Sequence, residues 1–307
     1  MKFKALMTDN GINLLEKRIL PALDKMGKIC HLYLTRDHAF FLHNLLNSDG
    51  PQSIAQFKIS SLFSDYRISS QNDDRIAFSL DLSLLHRALR SILAVSAHSH
   101  PSDGLHIKLV KKLPPHSTLP TPFLTFEAKG HKSAVVQDVP ISKPLSRADV
   151  DELQHALESG QEIPATLIKA PDLNLLQNFA DRMKHVGDVM GVSITKHGDL
   201  HLQISTSLIT LGAEFKNLVV LGARAEGGAA AAASLQREEA TTVQVSVKHF
   251  FKCLQCSLAK PDCAFYGIAP QGGCLIVIFQ FFVPGTRQTD KSISLHCRLP
   301  VLDPGSN

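Results

Sequence analysis

One order of segments recurs along this 307-residue chain: an alternating strand, a helix-start signal, an apolar helical stripe, then further strands. It begins near residues 1, 75, 164 and 242. The first copy runs from Lys2–Met7, with Phe3, Ala5 and Met7 on one face, through the turn and capping residues Asp9-Asn10-Gly11. A stripe of Ile12, Leu15, Ile19, Ala22 and Met26 follows, and then strands at Lys28–Leu34 and His38–Leu42. Pro21 lies inside that stripe and predicts a kinked or shortened helix. The second copy opens on Arg75–Leu80, with Asp81 as N-cap, the stripe Leu82, Leu85, Leu89, Ile92, and strands at Leu105–Leu109 and Phe123–Phe126.

The third copy has a strand at Ala165–Ile168 and the helix-start pair Pro171-Asp172. Its stripe is Leu173, Leu176, Phe179, Met183 and Val186, and a hairpin at Gly191–Thr195/Leu200–Ile204 follows. The fourth alternates at Val243, Val245 and Val247, stripes a helix with Phe251, Leu254 and Leu258, and ends in strands at Ala264–Ile268 and Leu275–Phe282. No residue identity links the copies strongly, so the period is structural. The longest polar, non-periodic join separates copies two and three and groups the copies in pairs. The fold class is therefore α+β. The expected division is 1–141, a connector 142–163 and 164–307. Within the connector, Ser146-x-x-Asp149 reads as a capping box ahead of Val150, Leu153 and Leu157, predicting a short amphipathic helix. The stretch 223–240, with five consecutive alanines, reads as a flexible surface insertion.

Charge supplies the functional signal. The net charge is only +4, yet each predicted helix is basic opposite its apolar stripe. The candidates are Lys17, Arg18 and Lys25 on the first, and Arg87 and Arg90, with His86, on the second. Arg182 and Lys184, with His185, fall on the third, and Lys248, Lys252 and Lys260 on the fourth. Lys248, Lys252 and Gln255 share one line opposite the apolar face. Helices gathered on one side would attract phosphate without reading bases, which predicts salt-sensitive, sequence-independent association with duplex DNA. Trp is absent and Tyr numbers 3, which argues against stacking platforms for unpaired bases.

Enzymatic motifs do not hold together. His98-Ser99-His100-Pro101 resembles the zinc-binding core of JAMM-type deubiquitinases, but the positions of the helper Ser and the Asp ligand hold Leu109 and Lys112. A zinc-dependent hydrolase using His98 and His100 is the alternative from another class. Cys253-x-x-Cys256, with Cys263 and Cys274 downstream, sits in a helix rather than a knuckle turn and reads as buried thiols. Gly227-Gly228 and Gly272-Gly273 lack the Lys-Ser/Thr of a phosphate loop. The expectation is no enzyme, no cofactor and no metal. The start Met1–Met7 is too short and charged for a signal peptide, and no apolar run suggests a membrane span.

The fourfold unit with its long connector resembles the PCNA-like sliding clamps. Met1-Lys2-Phe3-Lys4-Ala5, Asp138-Val139-Pro140-Ile141, Asp181-Arg182-Met183-Lys184, and Ser69–Asn72 paired with Leu84–Leu89 narrow the resemblance. Together they resemble the Hus-type subunit of the heterotrimeric nine-one-one checkpoint clamp. The resemblance implies two clamp domains with helices on one side of curved antiparallel sheets. It also implies a nuclear ring formed with two other PCNA-like subunits, placed on damaged duplex DNA by a clamp loader and recruiting checkpoint and repair proteins. Ring closure would pair edge strands at Ser133–Ile141, including Ser133, Val135, Val136, Asp138 and Ile141, and at roughly Leu208–Phe215, including Leu208, Thr210, Leu211 and Phe215. A homotrimeric replication processivity clamp is the alternative within binding proteins; PCNA subunits are acidic overall and this chain is not.

Overall fold

The computed structural model describes residues 1–46, 50–96, 104–113, 118–129, 134–159, 164, 166–222 and 240–302. The first copy is β1 (Lys2–Met7), α1 (Asp9–Leu14), a π-helical segment Leu15–Ile19, α2 (Leu20–Met26), β2 (Ile29–Leu34), β3 (His38–His43), β4 (Gln52–Lys58), the short α3 (Ile59–Leu62) and β5 (Phe63–Ser69). The second is β6 (Ile76–Asp81), α4 (Leu82–Ser96), β7 (Leu105–Lys112), β8 (Thr121–Lys129) and β9 (Ala134–Pro140), followed by α5 (Arg147–Ser159). The third is β10 (Thr166–Lys169), α6 (Leu173–Met183), β11 (Val189–Ile194), β12 (Leu200–Ser205), β13 (Thr210–Phe215) and β14 (Val220–Gly222). The fourth is β15 (Thr241–Ser246), α7 (Val247–Leu254) with a 3-10 tail Gln255–Ala259, β16 (Cys263–Ile268), β17 (Cys274–Gln280) and β18 (Ile293–Pro300).

Strand exchange explains why the copies come in pairs. β1 pairs antiparallel with β5 of its own copy and with β7 of the next, while β6 returns to pair with β2. In the second half β10 likewise joins β14 to β16, and β15 pairs with β11. The result is a five-stranded sheet β5-β1-β7-β8-β9, a four-stranded sheet β13-β12-β11-β15, and a nine-stranded sheet β14-β10-β16-β17-β18-β4-β3-β2-β6. The long sheet exists because β18 pairs with β4, from Ile293↔Phe57 to Arg298↔Gln52. The fourfold reading assigns neither of those strands to a copy, and it also leaves out β5 and β14.

The helical stripes bury as their spacing requires. Ile12, Leu15, Ile19, Ala22 and Met26 are all buried, as are Leu82, Leu85, Leu89 and Ile92. Pro21 does not shorten the first helix. It cannot donate a hydrogen bond and its ring would crowd the carbonyl one turn back, and the chain widens just before it. The Leu20 N–H reaches Leu15 O in an i→i−5 bond, after which α2 continues to Met26. Asp81 caps α4, accepting from the Ser83 and Leu84 amides at 2.8 and 3.1 Å. In α7 the stripe is Val247, Phe250, Cys253 and Leu254, whereas Phe251 is half-buried and Leu258 exposed. The expected stripe of Phe251 and Leu258 is thus corrected. The α-helix ends at Leu254, and the tighter 3-10 tail changes the angular step beyond it.

The connector helix forms as its capping box predicts. The Asp149 amide donates to Ser146 Oγ at 3.2 Å and the Ser146 amide returns to Asp149 Oδ2 at 3.1 Å. Val150, Leu153 and Leu157 bury against Tyr33, Leu42, Leu45, Ile54 and Ala77 on one face of the long sheet. Gln154 Oε1 accepts from Tyr33 Oη at 2.7 Å, and Arg75 pairs with Asp151 at 2.8 Å. The Ala-rich stretch 223–239 lies outside the described residues, and no described helix is long and apolar enough to cross a membrane.

Leu295 of β18 is fully buried between Ala55 and Phe279 of the neighbouring strands. Leu295→Ala leaves a cavity in the join between the halves and should lower unfolding free energy by about 2–5 kcal/mol. Urea denaturation followed by circular dichroism measures this; a loss well under that range would mean the join adds little to stability.

Candidate nucleic-acid interface and subunit edges

The helices form one continuous row. α4 packs on α2, α2 on the 3-10 tail of α7 and on α7 itself, and α7 on α6. The apolar stripes turn inward, so the basic residues face out on a shared side. Lys17, Lys25, Arg87, Arg182, Lys252 and Lys260 are exposed, and among the described residues none of them has a carboxylate in ion-pair range. The other candidates are engaged. Arg90 lies 3.7 Å from Glu16, and Lys248 lies 3.1 Å from Asp188 with both side chains open to solvent. The Lys248–Asp188 pair, open on both sides, is weak and yields readily to a polyanion.

Arg18 and Lys184 are held by contacts within the chain. Arg18 Nε donates to Ala259 O at 2.9 Å and Nη2 to Lys260 O at 2.8 Å, with the guanidinium 5.2 Å over the Phe281 ring. It joins the first helical run to the end of the fourth copy's helix, where unpaired carbonyls favour a cation. Lys184 pairs with Asp181 and sits 4.7 Å over Phe251. Beside Lys252, His249 is held below its ordinary pKa, chiefly by burial and secondarily by that lysine's charge, so it adds no charge at neutral pH.

Two edge strands stand where the sequence places them. Among the described residues β9 is bonded only to β8, and β13 only to β12. On β9, Val136 is exposed, Val135 half-buried against the core, and Asp138 accepts from Lys112 at 2.6 Å and Thr125 at 2.6 Å. Partial burial opposes ionisation of Asp138, but those two donors hold its carboxyl below the usual range. Ile141 is a correction: it is buried, bridges to Leu80 and donates its amide to Pro122, so its side chain belongs to the core. Leu208 lies in the bend ahead of the other edge strand, β13, and is 91% exposed, while Leu211 on the strand itself is 40% exposed. Thr210 is exposed, and Phe215 packs partly on the core. Ser133 lies outside the described residues, as do His98 and His100.

Cys253 and Cys256 are core groups, as expected, but Cys263 and Cys274 are not. Cys253, Cys256 and Cys297 are buried and free, with Cys256 Sγ 3.6 Å from Cys297 Sγ. The bond to Cys297 and burial push the Cys256 thiol well up, and burial pushes Cys253 up, so both stay protonated and are poor metal ligands. Cys263 and Cys274 are only half-buried. Among the described residues no cluster of His, Cys, Asp and Glu could hold a metal ion.

A chain of paired strand–helix–strands units, with a helix row on one side and open sheet edges, has the fold of a DNA clamp. The solved structure of Proliferating Cellular Nuclear Antigen from Entamoeba histolytica matches with a TM-score of 0.59, over 98% of this chain and 99% of that one, at 10% identity. The fold is therefore PCNA-like. The family model described as Hus1-like protein matches residues 1–287, and the chain belongs to that family. It is 27% identical over 264 residues to the checkpoint protein hus1 homolog of Dictyostelium discoideum, covering 85% of this chain and 88% of that one. It is 25% identical over 222 residues to checkpoint protein HUS1 of Homo sapiens, covering 71% and 74%.

On the face that carries the connector helix, a cavity of about 510 Å³ opens between α5 and β3, β4, β17 and β18, with His296 in its wall. Burial, and then the charge of Arg298, lower the His296 pKa to about 4 from 6.5. Between those values the unfolded chain binds the proton and the folded chain does not. Stability therefore rises with pH across that window and falls as pH drops through it. His296→Gln should flatten this part of a plot of unfolding free energy against pH; an unchanged slope would assign it to other groups.

Proposed function

We propose that this chain is a non-catalytic subunit of a heterotrimeric ring clamp that encircles damaged duplex DNA and supports checkpoint signalling and repair. The observation that carries this reading is the single helix row, with exposed cations drawn from every copy. A row of this kind offers charge without shape for a base edge, as a sliding surface requires. The membership in the Hus1-like family supports the checkpoint role, and the names of the relatives support a nuclear location.

In this reading residues 1–141 and 164–307 are the two clamp domains and 142–163 the connector. The edges β9 and β13 bond to the other two PCNA-like subunits through Val135, Val136, Asp138, Leu208, Thr210, Leu211 and Phe215. A clamp loader opens and closes the ring, and checkpoint and repair proteins dock outside it. The chain performs no chemistry and needs no cofactor.

Lys248→Glu with Lys252→Glu places like charge opposite phosphate on the outward line of α7. Retention on duplex DNA at low salt should weaken by about tenfold or more, with the loss shrinking as salt rises. Ring assembly, followed by sizing, should be unchanged. Loss of assembly with DNA retention intact would put α7 at a protein contact and contradict the reading.

A further inference from the structure

The five-stranded sheet turns Phe3, Ala5, Met7, Ile107 and Phe126 into the core, so the alternate residues of its strands form the face away from the helix row. Register sets three cations side by side on that face. Lys4 of β1 lies directly opposite Arg67 of β5 on one side and Lys108 of β7 on the other. Neighbouring strands are about 4.8 Å apart, so the row is about 10 Å long. Like charges directly opposite one another destabilise a sheet, and a local conflict of this kind is retained most often where function needs it. The nearest carboxylates stand beside the ends of the row. Arg67 Nε meets Asp65 at 3.3 Å, and Lys108 meets Glu127 at 2.9 Å. Lys4, exposed at the centre, has no carboxylate in ion-pair range among the described residues. With Lys2 and Arg67 it also lines a cleft of about 310 Å³ whose wall includes Ile68 and Leu109, so the row borders an apolar recess.

A short acidic segment of a protein fits this row. In an extended peptide, alternate side chains lie on one side about 6.6 Å apart. Two acidic residues at i and i+2 therefore fall within the row, each between a pair of cations, and an apolar residue of the same segment has the recess. Duplex DNA fits poorly. It carries charge along its whole length, whereas here the cations end after three strands with Asp65 and Glu127 beside them. We propose that the outward face of the β5-β1-β7 sheet docks an extended acidic peptide of a partner protein, held by Lys4, Arg67 and Lys108. This adds a surface and a partner chemistry to the docking role proposed above, and it needs neither ring closure nor DNA.

The test is fluorescence anisotropy of the full-length chain with a labelled peptide of repeating Glu-Ser and one Leu, set against the same peptide with Gln for Glu. The parent should bind the acidic peptide, more weakly as salt rises, and leave the Gln peptide free. Lys4→Glu reverses the centre of the row and should weaken binding about tenfold at low salt. Because it removes a like-charge contact on each side, this variant should melt at or above the parent's temperature. A lower melting temperature would show that the row stabilises the sheet and would remove the ground for the inference. No binding to the parent, or equal binding to Lys4→Glu, overturns the site; neither result touches ring assembly or DNA retention, on which the proposed function stands. Lys248→Glu/Lys252→Glu should bind the peptide as the parent does. Loss in that variant, with Lys4→Glu intact, would put the peptide on the helix row and overturn the assignment. A duplex that displaces the peptide from the parent would give the row to nucleic acid and overturn it as well.

Discussion

The pairing of β18 with β4 is the constraint on which the rest of the molecule depends. It turns two interlocked halves into partners in one nine-stranded sheet, from β14 to β6. A ladder of backbone hydrogen bonds fixes both distance and angle, because a one-residue slip would turn every buried side chain outward. Leu295, Cys297 and Leu299, all buried, make such a slip costly. On the helix side Arg18 adds a second point of attachment, and two separated points prevent hinging. The helix row is continuous because the halves are held in this way.

That continuity converts a small excess of charge into a directed field. A net charge of +4 would be unremarkable if spread evenly. The apolar stripes of α2, α4, α6 and α7 must face their sheets, so the lysines and arginines opposite them have only one side to occupy. Acidic residues beside them, Glu16 in the π-helical segment and Asp188 in the bend before β11, pair with Arg90 and Lys248 and moderate the field without cancelling it. Such a surface holds a polyanion loosely, which suits movement along it.

Much of this was legible in the sequence because period and capping are local. The stripe of Leu82, Leu85, Leu89 and Ile92, the Asp81 cap and the Ser146/Asp149 box each lie within one helix and form as read. The edges β9 and β13 could be placed because the family resemblance supplied an order of strands. Non-local contacts were not legible. Arg18 meets Ala259 across 241 positions, and no spacing rule identifies a cation that caps a distant helix end. Gln52–Lys58 and Ile293–Pro300 do alternate, yet alternation alone does not say which strand is the partner. The misplaced stripe in α7 has a different cause, since a change from α to 3-10 geometry after Leu254 alters the period within one helix. Ile141 was misread because a strand edge in sequence can be a core bridge in space.

The central claim is that this chain closes a ring with unlike partners. It is tested most directly by co-expressing the chain with candidate PCNA-like subunits and measuring the mass of the purified product by light scattering. The account predicts a discrete particle containing one copy of this chain and one of each of two different partners, with no trimer formed by this chain alone. A stable homotrimer, or a chain that stays monomeric in the presence of every such partner, would contradict it.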